Sequence, residues 1–308
     1  MVPPGSAKKL NGPGVFRRGN SWFMVYSLYD NTGYETWLAQ SADLLNWTIK
    51  GKLMSASDAG RWDASYKAGY IALQDVTWEG SYEWQKYNNR YWMSYTGGNT
   101  RSAEGGPFSI GMSYSYQAPT GIQEWRRPDQ PVLSPADALT RKTDNTGVHK
   151  SFVLRDNQQF TGHPFVMYYT ATGDSLSSGQ GAGSINMAVS DDMLRWQRYS
   201  NAPVISYSSA GSGDPTVQKI DNLYVMFYNG ASSRFACSYD LINWTDWLGQ
   251  ELIKPSETYD DAYIHQSSVI KYKGVVYHFY CAANKKEQQG IAVATSANIG
   301  KSELSFSQ

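Results

Sequence analysis

Apolar and aromatic residues fall along this chain in short runs, each cut from the next by Asp, Asn, Gly or Ser. Gly213-Asp214-Pro215-Thr216-Val217 leads to Leu223-Tyr224-Val225-Met226-Phe227-Tyr228, then to Arg234-Phe235-Ala236-Cys237-Ser238, and the unit closes on Asp240-Leu241-Ile242-Asn243-Trp244. Runs of this length separated by turn formers predict antiparallel strands joined by tight connections. The closing pattern Ser-x-Asp-Leu-x-x-Trp recurs as Ser41 to Trp47 and, with Met193 in the Leu position, as Ser190 to Trp196. A repeated four-strand unit predicts the blade of a β-propeller.

Five such units follow one another. Blade one runs from Gly12 to Trp47. Blade two takes Tyr82-Glu83-Trp84, Tyr91 to Tyr95 and Phe108 to Met112, with a looser ending at Trp125. Blade three runs from Val148 to Ile205, blade four is the stretch above, and blade five runs from Ile264 to Ser296 with Leu304-Ser305-Phe306 as outer strand. No helical period competes over a comparable length. The expectation is an all-β, five-bladed propeller with four antiparallel strands per blade, occupying residues 11–308 as one domain after an N-terminal leader or extension at residues 1–10.

Composition narrows the function. The 27 Lys+Arg balance the 27 Asp+Glu, so no basic field exists to draw in nucleic acid or an anionic membrane. No apolar run is long enough to span a bilayer. Eleven Trp and twenty-three Tyr suit strands and blade packing, and a few can serve as stacking faces for sugars. Cys237 and Cys281 fall on strands of neighbouring blades and are expected as two free thiols, and no Cys/His spacing suggests zinc.

In a propeller the first strand of each blade lines the central channel, so the approach to that strand and the loop after the second strand border one funnel. This places Asp75, Glu83, Asp144, His149, Lys150, Asp214, Asp260 and His265 on approaches, and Glu35, Arg101 and Glu104 on loops. Carboxylates gathered around one funnel are what glycoside hydrolysis needs, an acid for the leaving oxygen and a base or nucleophile opposite. Asp214-Pro215 could simply cap a turn. The matching positions of the other blades are not Asp-Pro, however, so the fold does not demand it. His149 and His265 hold equivalent places in blades three and five, which favours substrate contact or proton transfer. Trp78, in a loop, is the candidate for stacking a sugar. Asp43, Asp192 and Asp240, before the repeated Trp, are structural.

Asp-Pro-x-Val leading into a strand, Tyr-Val-Met-Phe-Tyr and Ser-x-Asp-Leu-x-x-Trp resemble the five-bladed propeller glycoside hydrolases of family 43 and their relatives in families 32, 68, 117 and 130, across nearly the whole chain. The resemblance implies an exo-acting glycosidase that removes a terminal sugar from a complex plant, algal or host glycan, in the periplasm or outside the cell. It also implies an Asp base at the start of blade one and a Glu acid approaching blade three or four. This chain has Asn11-Gly12-Pro13-Gly14 and Val148-His149-Lys150 there. The expected catalytic carboxylates are therefore Asp214, Asp75, Glu83 and Glu104, with Glu35, Trp78, His149, Lys150, Asp260 and His265 binding substrate. No cofactor is expected beyond room for a structural cation in the central channel. The rivals are a catalytically inactive carbohydrate-binding propeller and a phosphorylase that holds phosphate with Arg101, Lys150 or His265.

Overall fold

The computed structural model describes residues 1–3, 9–55, 60–101, 106–174, 183–206, 211–230, 232–302 and 304–306. Its regular elements are all strands, with no helix among the described residues. They form successive antiparallel meanders. The first is β1 (Lys9–Arg18), β2 (Ser21–Tyr29), β3 (Tyr34–Ser41) and β4 (Thr48–Met54). The second is β5 (Tyr66–Ala72), β6 (Lys86–Tyr87), β7 (Arg90–Gly98) and β8 (Ser109–Ser115). The third is β9 (Gly147–Arg155), β10 (Phe165–Thr172), β11 (Ser184–Ser190) and β12 (Gln197–Arg198). The fourth is β13 (Gly213–Ile220), β14 (Leu223–Asn229), β15 (Ser233–Ser238) and β16 (Thr245–Asp246). The fifth is β17 (Tyr263–Tyr272), β18 (Val275–Ala283) and β19 (Gln289–Thr295).

Each meander packs on the next through apolar side chains of its middle strands. Leu154, Val166, Tyr168 and Met187 of the third meet Val217, Tyr224 and Met226 of the fourth. Val225 and Phe227 of the fourth meet Val269 of the fifth. Ile270, Phe279 and Ile291 of the fifth pack with Val15, Met24 and Tyr26 of the first. Single parallel register pairs add to this between Tyr34 and Tyr66, Ala72 and Val153, and Lys9 and Gln289.

The repeated outer turn explains its own sequence. Ser41 Oγ accepts from the Leu44 N–H at 2.9 Å, and Asp43 Oδ1 accepts from Leu45 and Asn46 at 2.9 and 2.8 Å. Trp47 Nε1 donates to the Leu44 carbonyl at 3.1 Å. The same bonds recur around Asp192 and Asp240, and Leu44, Met193 and Leu241 all take positive φ. A short side chain that caps N–H groups is what such a turn requires.

Two expectations change. The inner strand of the second meander is β5, not Tyr82-Glu83-Trp84, which forms only isolated bridges to Gln74 and Arg17. Lys67 and Gly69 break the apolar signal of β5, yet Lys67 is 1% exposed. Asp75, Trp78 and Glu83 therefore follow the inner strand instead of leading into it. The edge of β19 is paired by Met1, which exchanges backbone hydrogen bonds with Ile291 at 2.6 and 2.9 Å, and not by residues 304–306.

Candidate functional site

Four of the five inner strands carry a β-bulge at the same level, between Asn11 and Gly14 in β1, beside Lys150 in β9, between Gly213 and Thr216 in β13, and between His265 and Ser268 in β17. At each bulge one residue takes the left-handed conformation: Gly12 (φ 62), Lys150 (φ 51), Asp214 (φ 58) and Gln266 (φ 52). Bulges re-aim side chains, and here they turn Lys150, Asp214 and Gln266 toward the axis between the meanders. Glycine is needed at position 12, since a Cβ there would lie 3.3 Å from the Tyr70 ring.

The second strands pin these bulges from the neighbouring meander. Thr96 Oγ1 accepts from the Lys150 N–H at 2.8 Å, and Thr170 Oγ1 accepts from the Asp214 N–H at 2.8 Å. Ser267 Oγ donates to Asn229 Oδ1 at 3.2 Å. Cys281 Sγ donates to Asn11 Oδ1 at 3.1 Å, joining the fifth meander to the first. Thr96, Thr170, Asn229 and Cys281 all stand opposite inner-strand residues just ahead of the bulge level.

Asp214 is the centre of the resulting cluster. Its side chain is 6% exposed, with Oδ1 2.9 Å from Lys150 Nζ and Oδ2 3.4 Å from His265 Nδ1. The Gln266 N–H donates to Oδ2 at 3.2 Å. Burial pushes the carboxyl pKa up, but the Lys150 ammonium and His265 outweigh it and hold it below the usual carboxylate range. Burial, reinforced by Lys150, lowers His149 to about 3, so its ring is neutral at ordinary pH. Tyr70 is raised by burial to about 12.

Two cavities meet at this cluster. An axial channel is lined by Asp214, Thr216, Gln218, Ser151 and Ser268, and a mouth by Asn11, Tyr34, Tyr66, Phe108, His149 and His265. Tyr70, Lys150 and Gln266 line both and stand between them. One wall of the mouth is an aromatic arc. Ring centroids lie 4.3 Å apart for Tyr34 and Tyr66, 4.6 Å for Tyr66 and Phe108, and 5.8 Å for Phe108 and His149. The facing wall is polar. Among the described residues lining the two cavities, Asp214 is the only carboxylate.

The structure brings together Asp214, Lys150, His149 and His265 from the residues expected to act. Asp75 instead caps a turn, accepting from Thr77, Ser81 and the Ser81 hydroxyl at 3.0, 2.8 and 2.6 Å. Glu83 is exposed beside it. The Trp78 N–H donates to Lys219 at the far end of β13, and its ring packs near Val225 and Phe227. Five residues of strand separate Lys219 from Asp214, roughly 16 Å, beyond the reach of a partner carboxylate. Glu35 turns outward to Lys52 (2.6 Å) and the Trp37 indole N–H (3.2 Å).

Asp260 accepts from Ser256, Glu257 and the Tyr280 hydroxyl at 2.9, 2.8 and 3.1 Å. This is a repeated structural pairing, matched by Tyr95 on Asp63 (2.8 Å), Tyr169 on Asp144 (2.9 Å) and Tyr228 on Asp246. Glu104 lies outside the described residues. Tyr70, Gln266 and the aromatic arc were not singled out from the sequence. Gly12-Pro13 and Asp214-Pro215 are the visible trace of a shared bulge, with Ser in the Pro position after Lys150 and Gln266. A divalent cation does not fit the channel, because the Lys150 ammonium already sits on Asp214 and no cluster of three or more His, Cys, Asp or Glu side chains occurs among the described residues.

No family profile matches the chain. A solved structure named as a glycoside hydrolase is 39% identical over all of this chain and 93% of its own, with a TM-score of 0.93. The protein belongs to the glycoside hydrolases. A second structure with the same identity, coverage and TM-score is described as a complex of BT0996 and RGII. More distant solved structures share the fold. A family 117 glycoside hydrolase of Zobellia galactanivorans is 14% identical, with a TM-score of 0.66 over 94% of this chain and 84% of its own. Among curated proteins, a β-1,2-mannobiose phosphorylase of Thermoanaerobacter sp. (strain X514) is 26% identical over 170 residues, which span 50% of this glycoside hydrolase and only 53% of that protein.

Proposed function

We propose that this glycoside hydrolase removes a terminal sugar from a branched plant-type glycan at the mouth above Asp214, in the periplasm or outside the cell. The observation that carries this is the two-faced mouth, floored by Tyr70, Lys150 and Gln266 with the buried Asp214 beside them. Aromatic rings stack the C–H face of a sugar, while Asn11, His149, His265 and Gln289 face its hydroxyls. A floored mouth accepts the end of a glycan and not its interior, which favours exo action. The likeness to a structure described as an RGII complex points to RGII oligosaccharides as substrate. The five meanders are inferred to close as the blades of one propeller, the fifth without a regular outer strand.

Hydrolysis adds water across the glycosidic C–O bond, so a carboxylate and a proton donor must flank that bond. Asp214, held ionised, serves as base or as anchor for the sugar hydroxyls. Glu104 is proposed as its partner. The described residues on the two sides of its segment come from mouth elements: the Arg101 carbonyl accepts from the Tyr29 hydroxyl at 3.0 Å, and Phe108 belongs to the aromatic arc. The phosphorylase reading is weaker, because Lys150 already neutralises Asp214 and is not set aside for phosphate. The test is sugar release from RGII oligosaccharide without added phosphate. Asp214→Asn and Glu104→Gln should each lower the rate by about 10²–10⁴-fold while leaving the fold intact. Full activity in the Asp214 variant would reject its role, and turnover only with phosphate would favour the phosphorylase.

A further inference from the structure

We infer that Lys150 is a positioning residue: its ammonium, projected by a left-handed bulge, fixes one oxygen of Asp214 at the floor of the mouth and does the work a bound metal ion would otherwise do there. The inference rests on the glycosidase reading for its consequence in catalysis, but its geometry stands alone.

The bulge level differs from strand to strand. β1 places Gly12 there and β5 has no bulge at all, so the fold requires neither a charge nor a side chain at that level. A non-glycine residue in the left-handed region costs roughly 1–2 kcal/mol. Even so, β9, β13 and β17 place Lys150, Asp214 and Gln266 there, and all three converge. Strained side chains at one point are grounds for a functional hypothesis. Both charged residues are anchored through their own N–H groups, by Thr96 and Thr170 at 2.8 Å each. The pair is therefore set by backbone, not by two flexible stems meeting by chance.

Each Asp214 oxygen has its own assignment. Oδ1 meets Lys150 Nζ at 2.9 Å, while Oδ2 takes the Gln266 N–H at 3.2 Å and faces His265 Nδ1 at 3.4 Å. The other titratable groups around the carboxylate are His149, Tyr70 and Cys281. All three are neutral at ordinary pH, His149 because burial suppresses its charge and the other two because burial raises them. The firm counter-charge on Oδ1 is then the ammonium. Without it a carboxylate this buried would tend to take up a proton, losing both its charge and its orientation.

The decisive experiment is a carboxyl ¹³C titration of protein labelled at aspartate, with the Asp214 resonance identified by its absence in Asp214→Asn. In the unsubstituted protein that resonance should stay at its ionised position from pH 8 down to about pH 4. In Lys150→Met its midpoint should rise by about one pH unit or more, and Lys150→Arg should behave as the parent. Where Lys150→Met fails to fold, Lys150→Gln gives the same comparison. An unchanged Asp214 titration in a folded, charge-free variant overturns the inference.

Turnover of RGII oligosaccharide adds a second readout. The acid limb of kcat should move to higher pH in Lys150→Met, with kcat falling about tenfold or more and KM changing little. A shifted KM with an unshifted acid limb would make Lys150 a plain substrate contact and would also overturn it. If the unsubstituted protein leaves this oligosaccharide intact, the substrate reading fails, while the ¹³C titration still decides the role of Lys150.

Discussion

His278 is buried against Ser267, its Nε2 2.7 Å from that hydroxyl, and burial lowers its pKa to about 4; His149 is lowered to about 3. Both rings bind a proton more readily when the protein is unfolded, where the ordinary value is about 6.5. Between those limits the unfolded state holds more protons, so stability falls as pH drops from about 6.5 toward 4. Asp214 acts in the same direction at lower pH, because its folded carboxyl resists protonation and its contribution is lost as the pH falls through its depressed value. The urea midpoint should therefore decline steadily over the first window, and His278→Gln should flatten that decline. An equal decline in the variant would mean that His278 is already charged in the folded protein.

The strands were legible where alternation and aromatic density are high, as in β2, β10, β14 and β18, and so was the Ser-x-Asp-Leu-x-x-Trp turn, because capping needs those side chains at those spacings. β5 was hidden, since a buried Lys67 and a Gly69 read as a polar connection. That one misplaced element moved Asp75, Glu83 and Trp78 to the wrong end of the channel. Bulges were also invisible, because an extra residue in a strand leaves no periodic mark beyond Gly12-Pro13 and Asp214-Pro215. Trp78 tests the corrected placement. It packs beside Val225, Phe227 and Val269, away from the mouth. Trp78→Ala should cost about 1–3 kcal/mol of stability and leave KM for RGII oligosaccharide unchanged. A large rise in KM would return Trp78 to the substrate.

Across the whole molecule, chemistry and closure share the same residues. The strand that brings Asp214 to the mouth is held by Thr170 of the meander before it, and Asp214 in turn accepts the Gln266 N–H of the meander after it. Cys281 continues the series of contacts to Asn11, which donates to Tyr34 of the aromatic arc at 2.8 Å. The floor of the mouth is thus built from several meanders at once, and no single one could form it. The most direct measurement is a crystal structure of Asp214→Asn with RGII oligosaccharide bound. The terminal sugar should lie in the mouth, its C–H face on Tyr66 and Phe108 and its hydroxyls toward His149 and His265, with the glycosidic oxygen pointing out to solvent. A sugar bound at the Trp78 end of the channel, or on the outer edges of the meanders, would contradict the account.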